Sequence, residues 1–103
     1  MFVLHAAIKV KPNHEEVAYT VFSKTFEQAI SAQQGFKSVQ FLAPLEGGDY
    51  ILAIAFESEA LQQKWVATDL HTEVWSQMEA NFDGWSVKKY RSDAGVHASR
   101  RPT

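Results

Sequence analysis

The stretch 48–78, GDYILAIAFESEALQQKWVATDLHTEVWSQM, decides the fold. Tyr50 to Phe56, YILAIAF, carries no polar alternation, so a strand here must be covered on both faces. Ser58 then offers an N-cap to a helix holding Leu61 and Trp65. Thr68 with Asp69 is a second capping point, which predicts a break near Ala67 and a resumed helix from Asp69 to about Ala80.

Upstream of this stretch, Phe36 to Leu42, FKSVQFL, reads as a strand, joined to Tyr50 by the turn-rich Ala43-Pro44-Leu45-Glu46-Gly47-Gly48-Asp49. Farther back, Phe2 to Val10 is strand-like. Its even positions Phe2, Leu4, Ala6, Ile8 and Val10 are all apolar, and Val3, His5, Ala7 and Lys9 form a mixed face. Lys11-Pro12-Asn13 ends that strand. Asn13 as N-cap, with Glu16 three residues on, opens a helix whose apolar arc holds Val17, Ala18, Val21, Phe22, Phe26, Ala29 and Ile30. Gly35 is its expected C-terminal cap. Downstream, Phe82 to Tyr90 is a fourth strand, and Ser92 to Thr103 is a polar tail expected to be loose.

The order strand, helix, strand, strand, helix, strand defines an α+β chain. It is the ferredoxin-like βαββαβ arrangement, a four-stranded antiparallel sheet with two helices on one face. Residues 1–91 form one domain and 92–103 a flexible C-terminal tail. Two helices cover one side of a sheet, and the strand at 50–56 is apolar on both. A homodimer joined through the bare sheet face is the economical solution.

The composition narrows the function. Ten basic against twelve acidic residues, a net charge of -2, provide no stripe for phosphate neutralisation, so nucleic acid is not an expected partner. No cysteine is present, which removes disulfides, zinc thiolates and thiol nucleophiles. No apolar run reaches membrane-spanning length and no leader pattern opens the chain, so the expected location is cytoplasmic, away from membranes. No histidines and acids share ligand spacing, so no metal site is expected.

His71 is the residue that stands out. On the wheel of the second helix it lies at about 100° from Leu70, inside an arc shared with Val74, Trp75 and Met78, with Thr72, Glu73, Ser76, Gln77 and Glu79 opposite. A desolvated imidazole stays neutral and can accept a proton from a substrate hydroxyl. The alternative is a core histidine bonded to a backbone carbonyl. Trp65 and Trp75 flank it and are either walls for a planar ligand or core fillers. His5 falls on the mixed face expected to meet the partner subunit, and His14 and His97 are expected at the surface.

GFKSVQFL and DYILAIAFESEALQQKWVATDLH together resemble the antibiotic biosynthesis monooxygenase domain, and the resemblance runs from Phe2 to Arg91. It implies a dimeric α/β barrel with a pocket in each subunit, and oxidation of electron-rich phenols and quinols by dioxygen without metal or flavin. One branch of that family degrades haem with an asparagine on the first strand, a tryptophan on the second helix and an axial histidine beyond it. Trp65 matches the tryptophan, but the asparagine position falls on Ala6 and the axial position on Trp75. Alanine donates no hydrogen bond and indole does not ligate iron, so haem is not expected and no cofactor is assigned.

The expectation is therefore a cofactor-independent monooxygenase of a small aromatic or quinol-like compound. His71 is its general base, Trp65 and Trp75 are the walls, and Phe56, Leu4 and Ala6 the floor. Two rivals share the fold: a non-catalytic small-molecule-binding or stress-responsive dimer, and an isomerase or decarboxylase-like enzyme needing no oxygen.

Overall fold

The structure is a computed structural model, and it describes residues 1–95. Four strands form one antiparallel sheet: β1 (Phe2–Val10), β2 (Phe36–Leu42), β3 (Tyr50–Phe56) and β4 (Phe82–Arg91), in the order β2-β3-β1-β4. The first and last strands of the fold thus lie side by side, and β1 and β3 occupy the centre. Helical segments α1 (Glu15–Val21), α2 (Glu27–Ser31), α3 (Glu59–Val66) and α4 (Asp69–Glu79) provide the second layer. This is the α+β ferredoxin-like architecture.

Register explains which side chains meet the helices. Phe2, Leu4 and Ala6 pair with Phe56, Ile54 and Leu52 of β3. These six and Ile8 are buried together with Ala18, Phe22, Phe26 and Ile30 from the first helical layer and Trp65, Val74 and Met78 from the second. The intervening residues point the other way: Val3, His5 and Ala7 on β1, opposite Ala55, Ala53 and Ile51 on β3. Among the described residues no helix packs over that set; β2 extends it with Ser38, Gln40 and Leu42, and β4 with Ser86, Lys88 and Tyr90.

The first helix departs from the expected continuous α-helix. Its buried residues Ala18, Phe22, Phe26 and Ile30 repeat every four positions, which in an α-helix of 3.6 residues per turn drifts about 40° per repeat. A π-helical turn at Phe22–Phe26 absorbs the drift. There the Glu27 N–H donates to the Phe22 carbonyl, and Thr25 Oγ1 donates to the Val21 carbonyl at 2.6 Å. Val17, placed on the apolar arc by sequence, is 52% exposed.

The caps of this helix also differ from expectation. Asn13 adopts φ 69° in the turn before it, and His14 is the N-cap, without a side-chain capping bond. His14 is half-buried, not free at the surface: its Nδ1 lies 2.9 Å from Oδ1 of buried Asn81. Gly35 lies beyond the helix end at Ser31, where its carbonyl accepts from the Glu57 N–H at 2.8 Å. Gly35 has φ 80°, a backbone that favours glycine, and a Cβ there would stand 2.5 Å from Leu61 Cδ1, which would have to shift.

The expected loose tail starts at Ser92, whose N–H donates to the Met1 carbonyl at 2.8 Å. Its remainder at 96–103, with His97, lies outside the described residues.

Candidate functional site

Between the sheet and the second helical layer lies a cavity of about 210 Å³ with a mainly apolar lining. Its sheet side is made by Leu4, Ala6, Leu52 and Ile54, with Val87 at the edge. Its helix side is made by Phe26, Gln62, Trp65, His71 and Trp75, with Trp85 from β4 closing the ring. Ala6 is the smallest of these and pairs with Leu52 on one side and Val87 on the other. A methyl group in the centre of the floor leaves the volume that a larger side chain would take.

The break between α3 and α4 builds the wall. Ser58 caps α3 by accepting from the Leu61 N–H at 3.3 Å, and Thr68 caps α4 by accepting from the His71 N–H at 3.1 Å. The same Thr68 hydroxyl donates to the Trp65 carbonyl at 2.7 Å. One oxygen therefore ties the last turn of α3 to the first turn of α4, and it holds Trp65 and His71 in register with each other. Their rings meet edge to face, with centroids 5.1 Å apart and planes at 88°. Trp75, one turn after His71, lies nearly parallel to the imidazole at 8° and 6.5 Å.

The His71 imidazole has no hydrogen-bond partner among the described residues. Burial among indoles holds its pKa below the ordinary 6.5, because the cation loses its hydration. Near neutral pH it is thus a neutral ring with an acceptor nitrogen and no protein proton to accept.

Five of the six residues selected from sequence converge here: His71, Trp65, Trp75, Leu4 and Ala6. Phe56 does not line the cavity. It is wholly buried against Phe36, with centroids 6.0 Å apart, beside Phe2 at the far end of β1. Three further residues matter that sequence reasoning missed. Phe26 packs edge-on against both Trp65 and Trp75, at 6.2 and 6.1 Å. Trp85 meets Trp75 at 5.2 Å, and its Nε1 donates to Glu79 Oε2 at 2.8 Å, so a half-open indole is fixed at the rim. Gln62 is a buried polar side chain on α3, three residues before Trp65 and so on the same helix face; that spacing was a usable signal.

His5 sits on the bare sheet face, half-buried, 5.2 Å from the Tyr90 ring. A roomier groove of about 410 Å³ at the ends of β1 and β4 is open and lined by Glu57, Glu59, Lys89 and Arg91. Its Lys89–Glu59 pair already neutralises itself at 2.9 Å, and neither a histidine nor an indole lines it. Among the described residues no group of three or more His, Asp or Glu side chains could hold a metal ion, and no helix is long and apolar enough to cross a membrane.

With this geometry in view, the chain belongs to the antibiotic biosynthesis monooxygenase family, whose model matches residues 1–77. Solved structures share the fold at low identity. MhuD of Mycobacterium tuberculosis, a haem degrader with two haems in its active site, is 20% identical over 94% of this chain and 100% of that one, with a TM-score of 0.77. A point mutant of MhuD with two manganese protoporphyrin IX molecules per active site is 22% identical over 95% and 100%, with a TM-score of 0.80. A point mutant of SnoaB, a cofactor-independent oxygenase from Streptomyces nogalater, is 12% identical over 92% and 95%, with a TM-score of 0.80. A search of curated proteins finds no match to the sequence.

Proposed function

We propose that the protein is a cofactor-independent monooxygenase that oxidises a small phenolic or quinol-like compound with dioxygen. The observation that carries this reading is the neutral His71 imidazole, without a protein hydrogen-bond partner among the described residues, on the wall of an apolar, indole-lined cavity. His71 accepts the phenolic proton. The resulting anion is electron-rich enough to reduce dioxygen: one oxygen atom is retained on the ring as a quinone carbonyl, and the other leaves as water with the two hydrogens lost by the substrate. Trp65 and Trp75 wall the ring, Leu4 and Ala6 lie beneath it, and exclusion of water protects the anion from its ordinary hydration.

Size supports a small ligand without haem. At about 210 Å³ the cavity is below the ~300 Å³ at which ligand pockets usually begin, which suits one or two fused rings better than a tetrapyrrole. His71 is the only lining side chain able to ligate iron, and the sequence resemblance puts Trp75 at the axial-histidine position of the haem-degrading branch. Haemin added to the protein is expected to keep the absorption spectrum of free haemin; a sharpened, shifted Soret band would refute this part of the reading.

The test of the base is oxygen uptake with a panel of phenols and hydroquinones, 1-naphthol among them. His71→Ala is expected to lower turnover by roughly 10²–10⁴-fold, the range of a lost general base. Undiminished uptake rejects His71 as the base. Turnover that persists without oxygen would transfer the protein to the isomerase or decarboxylase reading, and tight binding without turnover to the binding-protein reading. The bare sheet face, with Val3, Ala7, Ile51 and Ala53 at its centre, is proposed to pair with a second copy of the chain.

A further inference from the structure

The flat face of the sheet, which the functional reading pairs with a second copy, carries a titratable group at its middle. Cross-strand pairing sets its rows. Val3 lies beside Ala55 and Ala7 beside Ile51, and the row between them reads Gln40, Ala53, His5 and Lys88 across β2, β3, β1 and β4. His5 is half-buried on an inner strand, so any stacking of two such faces about their centres covers it. Its ring lies 5.2 Å from that of Tyr90.

Area argues both for a second copy and for a weak hold on it. Strands about 4.8 Å apart, seven residues long at about 3.3 Å each, give a four-stranded face of roughly 400 Å² in projection. Side chains raise the accessible area above the projection, so two such faces together bury about 1,000 Å², the lower bound for a specific interface. An even face also fits its own copy, sheet against sheet. A pair at that bound has little affinity in reserve, and one unfavourable charge at its centre undoes it.

The surroundings of His5 make a charge unfavourable there. Lys88 stands directly opposite on β4, so a protonated imidazole faces a like charge. On the other side is the methyl of Ala53, which offers no hydrogen bond. Along β1, Lys9 is occupied by Asp49 at 3.1 Å, and Glu57 lies beyond the end of β3. Among the described residues no carboxylate forms an ion pair with His5. In the free chain water solvates the cation; beneath a second sheet that hydration is lost.

We propose that pairing is gated by the charge on His5: two copies join through the flat face while their imidazoles are neutral, and separate as they gain protons. This rests on the pairing reading above and adds its regulation. Linkage fixes the sign. Covering the ring disfavours its charged form, so as pH falls the free chain takes up the proton first and pairing weakens; above the titration range both states are neutral and pairing is at full strength. Amines and phenols titrate well above that range and carboxylates below it, which leaves His5 as the described group of this face whose charge changes there.

Sedimentation equilibrium of the full chain between pH 8 and 5.5 tests the gate. With one His5 in each copy, the wild-type dissociation constant is expected to rise by up to about a hundredfold per pH unit through the titration range, with the far-ultraviolet spectrum retained. His5→Gln, neutral throughout, is expected to keep a nearly constant value. A wild-type constant that ignores pH, or the same slope in His5→Gln, overturns the gate and leaves the pairing reading standing. Separation accompanied by loss of the far-ultraviolet spectrum is unfolding and also overturns it. A single-chain mass at pH 8 overturns gate and pairing together. Should His5→Gln not fold, Lys88→Gln decides in its place: with the like charge gone, separation is expected to move to lower pH, and an unmoved midpoint overturns the gate.

Discussion

The two faces of the sheet are built from the same four strands and solve opposite problems. The helix-facing side carries large side chains, Phe2, Leu4, Ile8, Leu52, Ile54 and Phe56, interrupted by the methyl of Ala6 where the cavity opens. The other side carries mostly small or medium residues at its centre, Val3, Ala7, Ile51, Ala53 and Ala55 around His5, with Gln40 and Lys88 farther out. A layer that packs onto helices needs bulk to fill the space between curved surfaces. Two sheets that approach each other face to face at about 10 Å are better served by even, short side chains. The contrast teaches where the two proposed roles fall: chemistry on the irregular side, where one small residue leaves a void, and pairing on the flat side.

Substitutions that violate this division should have the largest effects. Ala53→Asp places a carboxylate in the middle of the flat face, and in a symmetric pair both copies carry it. Each unpaired buried charge costs on the order of 3–5 kcal/mol, so light scattering should report half the wild-type mass with the far-ultraviolet spectrum retained. A wild-type mass of one chain would refute the pairing itself. On the other face, Trp65→Ala removes a side chain that is 2% exposed and is expected to cost about 3–5 kcal/mol in thermal or urea unfolding. A loss under about 1 kcal/mol would mean that the cavity side is not the stability core.

A smaller effect probes the hinge between α3 and α4. Thr68→Ala loses a cap worth about 1 kcal/mol together with the bond to the Trp65 carbonyl, whereas Thr68→Ser keeps both hydrogen bonds and should remain within a few tenths. If the two variants melt alike, the hydroxyl is not what joins the helices.

The smallest effect is the pH dependence of His71. Its pKa is lower in the folded chain than the 6.5 of an unfolded imidazole. Above 6.5 both forms are neutral and stability is fully present. As pH falls below 6.5 the unfolded chain takes up a proton first, so stability declines until the folded imidazole also protonates. With one proton involved, the slope is at most about 1.4 kcal/mol per pH unit. His71→Phe should lack this contribution, visible as a flatter difference curve from pH 6.5 downward; coincident slopes would place His71 in water. Activity should fall over the same acid limb as the base becomes protonated.

Much of this was legible in the chain. Ser58 and Thr68 marked both helix starts, and the break at Ala67 followed from them. The arc containing His71 followed from helical period alone, since α4 is regular. Other features depend on irregularities that a period cannot show. Trp85 was missed because simple alternation from Phe82 puts it on the flat face. The register instead shifts between Lys9 and Val10, so that Phe82 opposes Val10 and Trp85 opposes Ile8, bringing both aromatic residues to the helix side. The π-turn of the first helix was hidden in the same way, because its four-residue repeat reads as an ordinary amphipathic stripe.

The sequence by itself determined the strands, the N-caps of α3 and α4, the order of the elements and the placement of one histidine on an apolar stripe, because these depend on neighbours within a few positions. Only the tertiary structure decided which side chains share the cavity: it brought Trp85 and Gln62 in and placed Phe56 outside. The physical reason is distance along the chain. Ala6 meets Val87 and Leu52 through strand pairing, and Phe26 meets Trp65 and Trp75 across the helical layer. A void exists only where all of these partners leave one, and local propensity carries no information about it.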